Sequence, residues 1–478
     1  MKDKFYVTTS IVYTNARPHI GFALELVQAD AIARWYRNRG RETLFLTGTD
    51  EHGTKIARAA VEAGKSPQEF VNEITNEVEG LRSILNLSWD RFIRTSDSDK
   101  HWPGAQALWR KLEESGDIYE REYSGLYCVG CESFLTEKDL ENGLCPIHKK
   151  EPERVEEKNL FFRLSKYSSP IKHAIESGEL QIFPEARRNE TLAFIANGLE
   201  DVSFSRSRRK LQWGVPIPGN EDQVMYVWCD ALSNYISAIG YGKDQKELKK
   251  WWPADVHLVG KDIMRFHTIY WPAMLLSAGL SLPKNIYVHG FITVEGEKIS
   301  KSIGNVVYPN TLVEKYGADA VRYYLLREVL SYEDGDFSEK RFVEHYNAGL
   351  ANGLGNFASR VSTLAEKAGE WSNGLQAADQ EINEQITKTG TTAADAVKNF
   401  KLHEAVNSIW SLIQFGDGYI NEHKPWETNN KQIIGDLVVL LGAIADLVSP
   451  IVPEAAEKIK DGIDKRKKIE NLFPRLDA

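Results

Sequence analysis

Cysteine and long apolar runs are both scarce in this sequence. Four cysteines in 478 residues are too few for a disulfide-bonded scaffold, and they favour a reducing compartment, with the cytoplasm as the expected location. The most apolar long stretch, residues 437–452, is interrupted by Asp446 and is too short to cross a bilayer, so no membrane segment is expected. The start, Met1-Lys2-Asp3-Lys4, leads directly into a predicted strand, so no signal peptide is expected either.

An excess of positive charge is also absent. The net charge of −9 at pH 7 does not by itself favour nucleic-acid binding, although an acidic protein can still present a basic face to RNA. The densest basic segments are residues 206–210 and 465–468, and such runs are usually solvated surfaces. With 42% hydrophobic and 27% charged residues, the composition is that of a soluble globular protein. Its length predicts about two to four domains.

The opening stretch, residues 4–50, predicts a strand, a helix and a second strand. An apolar, β-branched run at residues 5–9 is typical of a buried strand, and an apolar period of 3.6 residues then marks a helix from about His19 to Gly40. The second strand covers residues 43–46. This order opens a parallel sheet, in which ligands bind at the carboxyl ends of the strands. His19 and Gly21 lie in the first helical turn, where unpaired N–H groups and the helix dipole hold anions.

Three of the four cysteines lie close together in a polar, irregular stretch that begins near residue 118. They contribute to two pairs of ligand-type residues, Cys128-Val129-Gly130-Cys131 and Cys145-Pro146-Ile147-His148. Two close pairs separated by a loop of about 13 residues suit tetrahedral zinc. Four protein ligands leave no open coordination position, so the zinc is expected to be structural. The alternatives are a coincidental clustering and a redox dithiol.

The rest of the chain predicts alternating strands and helices, and then helices alone. Ser66-Pro67-Gln68-Glu69 is typical of a capped helix start. Residues 226–232 predict a strand running into a helix that includes Tyr235, residues 255–259 and 285–290 predict further strands, and a helical period begins near residue 341. The expected fold is α/β, a doubly wound parallel (Rossmann-like) sheet with an inserted zinc subdomain, followed by an all-α helix-bundle domain. The expected boundaries are 1–115 and 212–290 for the two halves of the sheet domain, 116–211 for the inserted connective subdomain, 291–345 for a linking segment and 346–478 for the helical domain.

A lysine motif, Lys298-Ile299-Ser300-Lys301-Ser302, lies far downstream between Gly296 and Gly304. Together with His19-Ile20-Gly21-Phe22 it resembles the HIGH and KMSKS signature pair of the class I aminoacyl-tRNA synthetases, and further matches over nearly the whole chain resemble the methionyl-tRNA synthetase family. Taken alone, each motif is better explained as a helix cap or a solvated turn, but the pair favours catalysis. The chain departs from the family at Ile299, where Met is usual, and at Phe22, where the signature has its second histidine.

The resemblance implies a methionine–tRNA ligase that forms methionyl-adenylate from L-methionine and Mg-ATP and transfers its methionyl group to tRNA(Met). The implied catalytic residues are His19, Gly21, Lys298 and Lys301. The implied ATP-binding residues are His19, Gly21, Glu25, Gly260, Asp262, His289 and Lys301. The implied methionine-binding residues are Ser10, Ile11, Tyr13, Asp50, Trp228, Ala231, Leu232, Tyr235, Ile263 and His267. Asp50 would pair with the substrate ammonium and Tyr13 or His267 would donate to the sulfur, whereas Ile263 and Leu232 are equally well explained as core.

The resemblance also assigns the helical domain to the anticodon and residues 291–345 to contacts with the tRNA stem. Asn356 and Arg360, four residues apart on one helical face, and Trp426 match the family's anticodon-reading residues. The alternative is a core Trp beside a surface Arg. The chain ends soon after the bundle, so a monomer is expected. The rival functions are a ligase for another amino acid, such as leucine, valine or cysteine, and a catalytically impaired, zinc-containing RNA-binding scaffold that only Phe22 supports.

Overall fold

The computed structural model describes residues 3–131, 133–135, 137–147, 149–299, 304–371, 377 and 379–477. The chain divides into two compact units. The first unit comprises Met1–Pro18, Glu42–Gly80 and Trp89–Val288, and the second comprises His19–Arg41, Leu81–Ser88 and His289–Ala478.

The strands, in chain order, are β1 (Lys4–Thr9), β2 (Val12–Tyr13), β3 (Glu42–Asp50), β4 (Arg91–Arg94), β5 (Ile118–Cys128), β6 (Ser133–Leu135), β7 (Glu153–Phe162), β8 (Gln181–Phe183), β9 (Val202–Ser203), β10 (Ser205–Ser207), β11 (Pro216–Ile217), β12 (Asn220–Met225), β13 (Val256–Gly260), β14 (Asn285–His289), β15 (Ile292–Val294), β16 (Glu297–Lys298) and β17 (Gly335–Phe337). The α-helices are α1 (Ile20–Asn38), α2 (Thr54–Glu62), α3 (Pro67–Ile84), α4 (Trp102–Glu114), α5 (Ser168–Ser177), α6 (Glu185–Ala196), α7 (Val227–Leu232), α8 (Asn234–Ser237), α9 (Gln245–Trp251), α10 (Trp271–Ser277), α11 (Pro309–Tyr316), α12 (Ala318–Arg327), α13 (Glu339–His345), α14 (Asn356–Ala368), α15 (Gln380–Lys398), α16 (Leu402–His423), α17 (Pro425–Thr428), α18 (Lys431–Val448) and α19 (Pro453–Asp464). Short 3-10 turns occupy Glu137–Asp139 and Leu164–Tyr167, and π-helical segments occupy Phe266–Tyr270 and Tyr346–Gly355.

The first unit is built on a seven-stranded sheet in the order β2-β3-β1-β13-β14-β8, with β4 paired to β3. Strand β1 is parallel to both β3 and β13, and Val7 is in register with Phe45 on one side and Val256 on the other. All three side chains are completely buried, as is usual in parallel sheets. The neighbours of β1 come from before and after the insertion, so the predicted doubly wound sheet is confirmed. In such sheets, ligands bind beyond the carboxyl ends of the strands where the order reverses.

The insertion between the two halves has its own antiparallel sheet, in the order β6-β5-β7-β9. Strands β5 and β7 pair continuously from Ile118 with Phe162 to Tyr127 with Glu153. One segment of residues 116–211 differs, because Gln181–Phe183 forms β8 and pairs in parallel with β14 at the edge of the central sheet. This strand has 3 residues, too few for an apolar pattern that would have placed it outside the insertion. The remaining domain boundaries stay predictions.

The position of the strand predicted within residues 226–232 is wrong. The strand in this region, β12, ends at Met225 and pairs antiparallel with β10 and β11 in a separate three-stranded sheet. Helix α7 begins directly afterwards at Val227, and Tyr235 lies in the next helix, α8, as predicted. Aromatic and β-branched residues at 226–228 favour a strand by propensity, and the tertiary context overrides that preference.

The second unit contains α1 and the C-terminal helices. Helix α1 begins after its cap residue, His19, and ends where Gly40 takes a φ of 77°, as the sequence predicts. Helices α14 to α19 lie within the predicted all-α domain, and α14, α16 and α18 pack against one another. In the part of the chain that the structure describes, no helix combines the length and the apolar character needed to span a membrane.

Candidate active site

The carboxyl ends of β1, β2 and β3 bring four predicted methionine-binding residues to one edge of the central sheet. Ser10 follows β1, and its backbone N–H donates to β13 at 2.9 Å. Tyr13 of β2 is in register with Asp50, the last residue of β3. The Asp50 carbonyl oxygen accepts hydrogen bonds from the backbone N–H and the hydroxyl of Thr14, at 3.0 and 3.1 Å. Ser10 and Asp50 are buried, and Ile11 and Tyr13 are half-buried.

The other six predicted methionine-binding residues belong to an aromatic and apolar cluster on α7, α8 and the segment after β13. The Trp228 ring stacks on Phe266 with ring centroids 3.7 Å apart. The Tyr235 hydroxyl lies 2.7 Å from Nε2 of His267, whose Nδ1 atom lies 2.9 Å from the carbonyl oxygen of Ile263. Two further members are buried on α7, Ala231 and Leu232. Ile11 and Tyr13 pack against the same core, so the structure brings the sheet edge and this cluster together.

The hydrogen bonds of His267 determine its tautomer. Burial lowers the pKa of His267 to about 4, despite the opposing effect of the Ile263 carbonyl, so the ring is neutral near pH 7. A carbonyl oxygen can only accept, so Nδ1 carries the proton and Nε2 accepts the Tyr235 hydroxyl. In this arrangement the N–H of His267 is donated to Ile263, and donation to the substrate sulfur by Tyr13 or His267 stays a prediction.

The second unit holds the first signature motif and the end of β14. Nδ1 of His19 accepts the backbone N–H of Gly21 at 3.1 Å. A Cβ atom on residue 21 would lie 2.9 Å from Cε1 of His19, so glycine at this position makes room for the imidazole. Further along α1, Oε2 of Glu25 lies 2.8 Å from Nε2 of His289, and both side chains are buried. The structure thus pairs two of the predicted ATP-binding residues that are far apart in sequence.

The remaining predicted ATP-binding and catalytic residues differ in their exposure. Gly260 is the last residue of β13, and Asp262 is exposed in the turn that follows. Lys298 is exposed on β16, where it pairs in register with Thr293 of β15. Lys301 lies outside the described residues.

Three of the four predicted zinc ligands lie together at the end of β5 and in the loops beyond it. The Sγ atoms of Cys128, Cys131 and Cys145 are all within 4.8 Å of one another. Burial, reinforced by the two neighbouring thiols, raises the pKa of Cys131. All four cysteines are described, and none forms a disulfide. Three converging thiols can hold a metal ion and are typical of zinc sites; the fourth predicted ligand, His148, lies outside the described residues.

The predicted anticodon residues lie in the helical domain. Nη1 of Arg360 lies 2.7 Å from Asp417, and Nη2 lies 2.7 Å from Asn421, so two residues of α16 orient the guanidinium group. Asn356, one helical turn earlier on α14, is exposed. Trp426 on α17 is 51% exposed, which excludes the alternative of a core tryptophan. Exposed indole and oriented guanidinium groups are typical of surfaces that bind unpaired bases.

The sequence did not predict four residues of the site: Phe266, Glu51, His52 and Asp230. Each lies next to a predicted residue, because Glu51 and His52 follow Asp50, Phe266 precedes His267, and Asp230 precedes Ala231. Glu51, His52 and Asp230 are all buried. Ionisable residues directly after a central strand were a signal that could have found Glu51 and His52, whereas Asp230 and Phe266 carry no such signal.

Comparison with known proteins places this site in a family. The model of the family described as tRNA synthetases class I (M) matches residues 5–147 and 136–362. The methionine–tRNA ligase of Clostridium perfringens is 43% identical over 513 residues, which cover 100% of this chain and 79% of the relative. That of Thermotoga maritima is 42% identical and covers 95% of this chain and 74% of the relative.

A solved structure agrees with these relatives. The Mycobacterium tuberculosis methionyl-tRNA synthetase in complex with methionyl-adenylate has a TM-score of 0.91 and 40% identity, covering 96% of this chain and 94% of that one. The chain belongs to the methionyl-tRNA synthetases. This membership confirms the family expected from the two signature motifs. It also confirms the expected fold class and the expected class of enzyme, an aminoacyl-tRNA ligase. The chain differs from the family signature at Phe22, where the signature has its second histidine. The Phe22 side chain is half-buried in the first turn of α1.

Proposed function

We propose that the chain activates L-methionine with Mg-ATP to give methionyl-adenylate and pyrophosphate, and then transfers the methionyl group to the terminal ribose of tRNA(Met) with release of AMP. One observation carries the proposal. The chain matches, over 96% of its length, a solved synthetase that contains methionyl-adenylate. The chain's own residues supply groups of the right chemistry for each part of that reaction.

Methionine would be bound at the sheet edge and the aromatic cluster. The Asp50 carboxylate pairs with the substrate ammonium, and the stacked rings of Trp228 and Phe266 cover the polarisable thioether. Nε1 of Trp228 is buried and has no hydrogen-bond partner among the described residues, so it can donate to a substrate acceptor such as the carboxylate. Because apolar walls separate ligands that differ by one methylene group by only about 1–3 kcal/mol, shape selects methionine more weakly than a polar contact would.

ATP would be bound by the first turn of α1 and by the lysine motif. The N-terminus of this 19-residue helix favours anions, and His19 and Gly21 lie there. Lys298 is exposed, and its ammonium group lies at the end of a long side chain. Lys301 belongs to the same motif. Both lysines would stabilise the charge that develops on the departing pyrophosphate, which lowers the barrier more than it strengthens ground-state binding. The Glu25–His289 pair would contact the nucleoside, and the ATP-binding roles of Gly260 and Asp262 stay predictions.

The cysteine cluster would hold structural zinc. Cys128, Cys131 and Cys145 supply three thiolates, and His148 would complete a tetrahedral set. Such a metal would fix the connection between β5 and β6 and would take no part in the chemistry. The absence of disulfides among the four cysteines supports a cytoplasmic location, and a monomeric state stays a prediction.

The helical domain would read the anticodon of tRNA(Met). The exposed indole of Trp426 would stack on an unpaired base, and Arg360 and Asn356 would bind base edges. Asp417 and Asn421 hold the Arg360 guanidinium in one orientation, so less conformational entropy is lost on binding.

ATP–pyrophosphate exchange measured with each of the twenty amino acids tests the proposed function. We expect exchange with methionine and none of comparable rate with the others. Exchange led by leucine, valine or cysteine would assign the chain to another ligase. No exchange with any amino acid, by a folded chain that still binds tRNA, would identify an RNA-binding scaffold.

A further inference from the structure

A buried carboxylate joins two histidines beside the proposed methionine site. Asp230 lies on α7 between Trp228 and Ala231 and is completely buried. Its Oδ2 atom lies 2.6 Å from Nδ1 of His52, and its Oδ1 atom lies 2.7 Å from Nε2 of His101. Burial alone would raise the pKa of Asp230, but the two histidines outweigh it and hold that pKa below its usual value. The carboxylate is therefore ionised and accepts a hydrogen bond from each ring.

Both histidines are themselves buried and oriented. Nδ1 of His101 lies 2.9 Å from the hydroxyl of Ser237 on α8. The His52 ring packs edge-on against Trp213 with ring centroids 5.2 Å apart. The network thus ties together the segment after β3, the start of α4, and helices α7 and α8.

The segment after β3 is held on its other side by Glu51, which is completely buried. The Glu51 carboxylate accepts hydrogen bonds from Nε and Nη2 of Arg94 at 2.8 and 3.0 Å, and from the Thr75 hydroxyl at 2.6 Å. Its carbonyl oxygen accepts the indole N–H of Trp213. The hydrogen bond from His52 to Asp230 therefore directly links the segment that carries Asp50 and Glu51 to α7, which carries Trp228.

We propose that His52, Asp230 and His101 form a positioning network that holds Asp50 and Trp228 at the separation that methionine requires. This proposal rests on the proposed function, in which Asp50 pairs with the ammonium group and Trp228 covers the side chain. None of the three residues needs to touch the substrate. Loss of the network weakens methionine binding and leaves ATP binding unchanged, because the proposed phosphate-binding residues lie on other segments.

The two ring atoms that donate to Asp230 differ, and this difference makes a sharp test possible. The amide nitrogen of asparagine can replace histidine Nδ1, and that of glutamine can replace Nε2. His52→Asn and His101→Gln therefore keep the donor, whereas His52→Gln and His101→Asn misplace it. A merely space-filling role would not produce this crossed pattern.

Methionine-dependent ATP–pyrophosphate exchange gives the KM values for methionine and for ATP. We expect the misplaced-donor variants to raise the methionine KM by roughly 10- to 100-fold, with the ATP KM within about threefold of the unaltered chain. For the donor-keeping variants, we expect the KM values for methionine and for ATP to stay within about threefold of those of the unaltered chain. His173→Gln, at an exposed histidine on α5, is the matched control and leaves both KM values unchanged.

Three outcomes would overturn the proposal. The first is an equal rise in the methionine KM for the donor-keeping and misplaced-donor variants, and the second is a parallel rise in the ATP KM. The third outcome applies if the misplaced-donor variants do not fold. In that case, a rise of more than tenfold in the methionine KM of either donor-keeping variant would overturn the proposal. Absence of methionine-dependent exchange in the unaltered chain would refute the proposed function itself, which separates the two failures.

Discussion

The Nη2 atom of Arg322 lies 2.7 Å from the Oδ2 atom of Asp30, and both side chains are completely buried. Asp30 lies on α1, which begins at the first signature motif, and Arg322 lies on α12. The guanidinium group also donates to backbone carbonyl oxygens at residues 85–86 and 450–451. One arginine thus ties α1 to the loop after α3 and to the turn between α18 and α19.

Loss of this arginine is expected to be costly. Burial alone would raise the pKa of Asp30, but Arg322 and Arg34 outweigh it and hold that pKa below its usual value. Arg322→Met leaves the Asp30 carboxylate buried and removes one of the two arginine charges that compensate it. The substitution should lower the free energy of unfolding, measured by urea denaturation, by about 3–5 kcal/mol. Arg58→Met is the control, because Arg58 and Glu153 form an exposed pair worth under about 1 kcal/mol. Equal losses for the two variants would contradict the account.

The neutral state of His267 predicts a dependence of stability on pH. Its pKa is lowered from 6.5 to about 4 in the folded chain by burial, so the unfolded chain binds a proton that the folded chain does not between these values. The contribution of neutral His267 to the free energy of unfolding is fully present above pH 6.5. It is lost as the pH falls through about 4, and the total loss is about 3 kcal/mol. Urea denaturation at several pH values should therefore show a smaller loss on acidification for His267→Gln than for the unaltered chain. Parallel pH profiles would contradict a neutral His267.

Phe22 occupies the position at which the family signature has a second histidine. Removing a hydrogen-bond donor to a developing charge costs about 2–4 kcal/mol in an otherwise unchanged site. We expect other groups to compensate, so Phe22→His should raise the single-turnover rate of methionyl-adenylate formation by only a few-fold. Phe22→Leu separates the effect of side-chain shape from that of hydrogen bonding. A rise of several hundred-fold in the histidine variant would mean that the natural site is impaired.

Trp426 should act in tRNA recognition alone. Because its indole is 51% exposed, Trp426→Ala removes a stacking surface worth about 1–3 kcal/mol per base without opening a cavity. Charging of tRNA should fall by roughly 10- to 100-fold at limiting tRNA, and ATP–pyrophosphate exchange should be unchanged. Val61→Ala truncates another exposed apolar side chain, which is 76% exposed, and should change neither activity. Equal loss of charging and exchange in Trp426→Ala would show that the tryptophan is merely structural.

Local patterns predicted local structure. The capped helix start at Ser66 is present, since the Ser66 backbone N–H donates to Glu69 at 3.0 Å and the Glu69 N–H donates to the Ser66 hydroxyl at 3.3 Å. The cap at His19 and the stop at Gly40 were likewise predictable. These features depend on residues within one helical turn, so the sequence contains all the information that they need.

Contacts between distant residues could not be predicted in the same way. Strand β8 is defined only by its pairing with β14, and three residues carry too little pattern to show it. Asp30 and Arg322 form a buried ion pair, and His52 and Asp230 form a buried hydrogen-bonded pair. Residues of these types usually lie at the surface, so the sequence alone does not show that the fold brings them together. The predicted methionine residues came from the family resemblance, and the network behind them needed the structure.

The most direct test of the central claim is tRNA charging in competition. The chain would be incubated with Mg-ATP, total tRNA and all twenty amino acids at equal concentration, and the amino acids esterified to the tRNA would be identified by mass. The account predicts methionine, attached to tRNA(Met). Attachment of a different amino acid, or of none by a folded chain, would contradict it.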